Sequence, residues 1–212
     1  MTDIYVELDG TRAIAWSLEW PGWCRIRRSE AEAVQALIDT QARYQLIAQR
    51  ARLNFAPGAL VVVERLQGDA TTASLVPSAL ASAETRPIDA ASAQRNVALL
   101  RASWDMLEEV VATSPAVLRK GPRGGGRDRD EIRRHVIEAE RAYARKIGVR
   151  HKRFEMNDTS ALKAMQDEIA AVLSKPSRGE PLVAGGWYAS YAVSRMAWHV
   201  VDHLWEIEDR RS

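Results

Sequence analysis

The sequence predicts an α+β protein: a small antiparallel sheet with a helix, followed by a four-helix bundle. Three observations predict it. Residues 1–66 carry short apolar–polar alternations broken by Asp9-Gly10 and Pro21-Gly22, the mark of half-buried strands and tight turns. Residues 67–87 are rich in Gly, Thr, Ser, Ala and Pro without a period, and read as a linker ending at Pro87. Residues 88–212 switch to apolar positions spaced three and four apart, the period of an amphipathic helix.

In the first unit, Ile4–Gly10 alternates and reaches a turn, and Arg12–Leu18 is its hairpin partner. Trp23–Arg27 is a third short strand. Ser29-Glu-Ala-Glu32 is a capping box, in which each side chain satisfies a backbone N–H that the helix leaves free. The helix it opens is expected to run to about Leu53. Leu60-Val-Val-Val-Glu-Arg-Leu66 is dense in β-branched residues and reads as a buried strand.

The second unit holds four amphipathic stripes. The first is Val97, Leu100, Trp104, Leu107 and Val111, stopped by Pro115. The second opens at Asp128-Arg-Asp-Glu131 after Gly124-Gly-Gly126, runs through Ile132, Val136, Ala139, Tyr143 and Ile147, and closes at Gly148. Leu162, Met165, Ile169 and Val172 form the third. The fourth follows Gly185-Gly186 with Ala192, Met196, Val200, Leu204 and Ile207. Four such helices bury their stripes together as a bundle.

Composition narrows the function classes. The one cysteine, Cys24, precludes an internal disulfide framework and suits a reducing cytoplasm. No apolar run approaches a membrane span and no signal-peptide pattern opens the chain, so membrane insertion is not expected. The net charge of +2 is not that of a polycation. Basic residues do concentrate between Arg119 and Arg153, thirteen Lys or Arg against five Asp or Glu. A solvated helix face accounts for such a run, which argues against a nucleic-acid partner, while its arginines also suit a small anion.

The histidines carry the sharpest signal. His199 and His203 stand four apart in Trp198-His-Val-Val-Asp-His-Leu-Trp-Glu206, which stacks them on one helix face. Beside Met196, Val200 and Ile207 they turn inward. His135 lies between Ile132 and Ala139 on the second stripe. Three neutral imidazoles from two helices suit zinc first, with nickel or iron permitted by ligand type. Satisfied core histidines are the plain alternative. Glu138, Asp202 and Glu206 are candidates to orient a ligand's second nitrogen, and Glu138, three residues past His135, is the one favoured for a proton-handling role. Arg123, Arg127 and Arg134 are candidates to hold an anionic ligand. Arginines beside Cys24 could activate its thiol, but a small apolar strand residue is the simpler reading.

The segments His135-Val-Ile-Glu-Ala-Glu-Arg-Ala-Tyr143 and Trp198–Glu206 resemble the DinB-like superfamily over roughly residues 88–212. That resemblance implies a four-helix bundle with a divalent metal held by His135, His199 and His203. The superfamily includes enzymes that use low-molecular-weight thiols such as mycothiol and bacillithiol, so it implies a metal site more firmly than a reaction. Trp16-Ser-Leu-Glu-Trp-Pro-Gly-Trp-Cys24, followed by Ser29–Leu37, more loosely resembles HicB-like antitoxin domains, although no helix-turn-helix follows.

Two functions compete at this point. One is a metal-dependent thiol transferase or hydrolase acting on a small anionic or thiol substrate, as a homodimer. The other is a non-catalytic protein-interaction module whose metal site is structural or vestigial.

Overall fold

The structure is a computed structural model and describes residues 1–121 and 125–211. It has the α+β arrangement expected. Strand β1 (Thr2–Leu8) pairs antiparallel with β2 (Ala13–Trp16). Asp9 builds the turn between them: its Oδ1 accepts the N–H of Thr11 at 2.7 Å and of Arg12 at 2.6 Å. Gly10 follows with φ +87°, a left-handed conformation that glycine adopts without a Cβ penalty. Strand β3 (Cys24–Arg27) pairs antiparallel with β2.

The helix beyond β3 is shorter than expected. It breaks at Thr40 into α1 (Glu30–Asp39) and α2 (Gln41–Arg50) instead of continuing to Leu53. Side chains take the carbonyl that would propagate it. Leu37 O accepts Trp23 Nε1–H at 3.1 Å and the Thr40 hydroxyl at 3.1 Å, so the ladder cannot pass cleanly. The N-terminal cap is present in altered form: Ser29 Oγ accepts the Glu32 N–H at 3.3 Å, while Glu32 reaches the N–H of Arg28.

The two helices carry the chain back across the sheet, so β4 (Leu60–Gln67) joins the far side of β1 and runs parallel to it. The sheet is therefore mixed, in the order β3-β2-β1-β4. The buried strand expected at Leu60–Leu66 is instead a half-buried edge strand, with Val61 and Val63 exposed. Its β-branched residues fit a pleated surface, and that fit says nothing of depth.

Residues 67–87 are packed rather than free. They form α3 (Ala70–Ala73) and a 3-10 turn at Ser82–Thr85. Glu7, fully buried on β1, gathers this segment. It accepts the N–H groups of Ser78 and Ala79, each at 2.9 Å, and the Thr72 hydroxyl.

Four long helices follow: α4 (Ala90–Thr113), α5 (Arg129–Arg145), α6 (Thr159–Leu173) and α7 (Ala189–Arg210). Asp89 caps α4 through the Ser92 N–H at 2.7 Å, and Asp158 caps α6 through the Ala161 N–H at 2.9 Å. Helix α7 packs against both α4 and α5, and α6 closes against α4 and α5. The buried stripe of α5 is turned from the expected one. Ile132, Val136, Ile137 and Ala144 are buried together with Arg133 and Glu140, while Ala139 and Tyr143 sit at its margin. Polar partners make the turn possible. Arg133 donates to Glu108, and Glu140 accepts Trp104 Nε1–H.

One apolar core runs through both parts of the chain, from Ile4, Trp23 and Tyr44 to Leu100, Ile132 and Val201. Helix α7 is its common wall. The Pro21-Gly22 turn lies so close to it that a Cβ on Gly22 would meet Ala197 O at 3.1 Å and Val201 Cγ2 at 3.0 Å. Trp205, buried on α7, is flanked by the guanidinium groups of Arg25 at 4.3 Å and Arg43 at 4.9 Å. Among the described residues no helix is long and apolar enough to cross a membrane.

Candidate metal centre

Helices α5 and α7 bring His135, His199 and His203 together. Their potential ligand nitrogens all lie within 4.8 Å of one another, close enough to bind one metal ion. The Nε2 atoms of His135 and His199 are 3.1 Å apart. A tetrahedral ion with metal–nitrogen bonds of about 2.0–2.1 Å requires nitrogens about 3.3 Å apart. The pair therefore already stands near coordination spacing. The rings cluster to match: centroids are 5.0 Å apart for His135–His199, 4.9 Å for His135–His203 and 4.7 Å for His199–His203.

Electrostatics favour the neutral, ligating form. Burial pushes the pKa of His199 down to about 2, and the charges of His203, His135, Arg195 and Arg127 add to the effect. Burial also lowers His135, helped by His203 and Arg127. A neutral imidazole offers one lone pair, and its other nitrogen carries the proton.

Glu206 fixes which nitrogen that is on His203. Its Oε2 lies 2.8 Å from His203 Nδ1, so Nδ1–H donates to the carboxylate and Nε2 is the nitrogen left for a metal. Arg210 holds the other oxygen, donating from Nη1 to Oε1 at 2.6 Å. Burial raises the Glu206 carboxyl, but the hydrogen bonds and charges of His203 and Arg210 outweigh it and leave the group below its usual range.

The other candidates lie elsewhere. Glu138 is exposed and accepts from Arg153 at 3.1 Å. Asp202 faces Arg25 at 3.7 Å. Arg134 lines an open surface hollow with Glu138, Arg141 and Arg153. Arg127, exposed just before α5, contributes its charge to both His135 and His199. Arg123, with Gly124, lies outside the described residues. Cys24 is fully packed away, and burial raises its thiol far above the range of a reactive cysteine despite Arg25.

Sequence reasoning overlooked Arg195. It sits four residues before His199, continuing the spacing of the two histidines, and only 9% of it is exposed. Its guanidinium lies 4.7 Å from the Trp198 ring centroid and 5.8 Å from that of Tyr143, which itself packs edge-on to His199. The repeated four-residue interval was the signal that could have found it. Comparison with protein families, characterised proteins and solved structures finds no match for this chain.

Proposed function

We propose that His135, His199 and His203 hold one divalent cation, zinc by preference of three imidazoles, and that the chain is a metal-dependent enzyme of the thiol-transferase or hydrolase kind. The observation that carries the reading is the convergence of three imidazole nitrogens within 4.8 Å, one from α5 and two from successive turns of α7. A bound cation there would lower the pKa of a coordinated thiol or water and so supply a nucleophile at neutral pH.

The chain's own residues supply the rest. Glu206 holds the His203 ring and its tautomer. Burial keeps His199 unprotonated. Arg127 adds positive charge beside the histidines, which favours an anionic thiol or substrate. Three protein ligands leave a fourth tetrahedral position for the reacting molecule.

Elemental analysis after add-back to stripped protein tests the reading. The expected result is about one equivalent of metal per chain, a raised thermal midpoint, and loss of both in His199→Ala. A correctly folded protein that takes up no metal would remove the enzyme reading and leave the interaction module.

A further inference from the structure

A cleft lies between the sheet and α7, with Arg195 in its wall. Trp16, Cys24, Pro77, Glu84, Arg195 and Trp198 are among its walls. Arg195 spends one nitrogen on the carbonyl of Pro77. Among the described residues its Nε–H finds no acceptor, and neither does the Nε1–H of Trp198, although both atoms are buried. Arg195 forms no salt bridge among the described residues.

A buried guanidinium without a counter-ion is costly, because desolvation is not repaid by a nearby opposite charge. The two carboxyl groups on this side have their hydrogen bonds elsewhere. Glu7 is committed to Thr72, Ser78 and Ala79. Glu84 accepts the Ala81 N–H at 2.8 Å, and burial raises it to about 8 although the Ala81 N–H and the charge of Arg195 pull it back. The unmet groups are a cation and two N–H donors. A water accepting from both would need acceptors for its own hydrogens, whereas an anion needs only donors.

We infer that this cleft binds a small monovalent anion that accepts from the Nε–H of Arg195 and the Nε1–H of Trp198. The fit is close: the centre of a water-sized sphere has only about 20 Å³ in which to move. That closeness favours a halide or a single carboxylate group over the larger, doubly charged phosphate. The site does not depend on the metal reading, since neither Trp198 nor Arg195 is among the three converging histidines.

The test titrates metal-stripped, full-length protein with chloride, acetate and inorganic phosphate, ionic strength being held by a bulky sulfonate. Fluorescence of the cleft tryptophans and the thermal midpoint are followed. Saturable responses to chloride or acetate, with none to phosphate, are expected, and the stronger of the two identifies a halide or a carboxylate as the natural occupant. Arg195→Gln should weaken that response by roughly thirtyfold or more, while Glu84→Gln should keep it. Where Arg195→Gln does not fold, Trp198→Phe keeps the ring, removes the donor, and should weaken binding severalfold. Bromide-soaked crystals should show an anomalous peak beside Arg195 Nε and Trp198 Nε1. No saturable response in the wild type, a phosphate response equal to chloride, or an unchanged response in both Arg195→Gln and Trp198→Phe would overturn the inference.

Discussion

Glu206 is the residue on which the geometry of the histidine cluster turns. It holds the Nδ1 of His203 at 2.8 Å and is itself held by Arg210. Removing its charge while keeping its shape leaves the ring less basic and free to rotate. Glu206→Gln should therefore lower metal affinity roughly 10- to 100-fold, with Glu138→Gln as the control that changes it little. Competition with a chromophoric chelator measures both. The histidines themselves were legible because four-residue spacing on a helix is a local, geometric fact. The choice between Glu138 and Glu206 was not. Both stand three residues from a histidine, and what separates them is the arginine each one meets: Arg153, from the loop beyond α5, draws Glu138 outward, whereas Arg210, one turn further along α7, steadies Glu206 beside the ring.

The same contrast governs whole elements. Apolar periodicity placed all four long helices, and turn chemistry placed the β1–β2 hairpin. The break at Thr40 escaped because the Trp23 indole that takes Leu37 O comes from a different element. The turned stripe of α5 escaped because polar residues fill part of its buried face. Glu140 is 3% exposed there, bonded by Trp104 and by Gln166 at 3.4 Å. Burial raises its pKa to about 7, partly offset by these two hydrogen bonds. The unfolded chain releases this proton near pH 4.3. Between those values the unfolded state ionises while the folded state keeps its proton, so stability falls as pH rises through this window. Below it both states are protonated and the penalty vanishes. The full loss is on the order of 4 kcal/mol. Glu140→Gln should abolish that part of the slope and be more stable than the wild type at pH values above about 7. Urea unfolding across the window checks it, and an unchanged slope in the variant would show that the carboxyl is ionised within the fold.

At the scale of the molecule, α7 joins the two halves. One face carries His199 and His203 towards α5, and another receives the Pro21-Gly22 turn, Arg25 and Arg43. The sequence presents these halves as two periodicities separated by a polar stretch, and pattern alone cannot reveal that their cores merge, because an apolar residue carries no record of which partner covers it. Trp198, Val201 and Trp205 are each at most 5% exposed in the whole chain, and their cover includes residues of the first unit. Cutting the chain before residue 88 strips that cover and leaves a contiguous apolar face on the helix that carries His199 and His203. Such a face promotes association and removes a large share of the burial that stabilises the helix. Residues 88–212 expressed alone should therefore lack a cooperative thermal transition and self-associate. Co-expression with residues 1–87 should restore a monodisperse, cooperatively folding complex, because the lost contacts are non-covalent. Calorimetry and light scattering on both preparations decide the matter. A sharp transition in the isolated bundle, with metal uptake equal to that of the full chain, would mean that the histidine centre is built by the bundle alone and that the sheet only covers it.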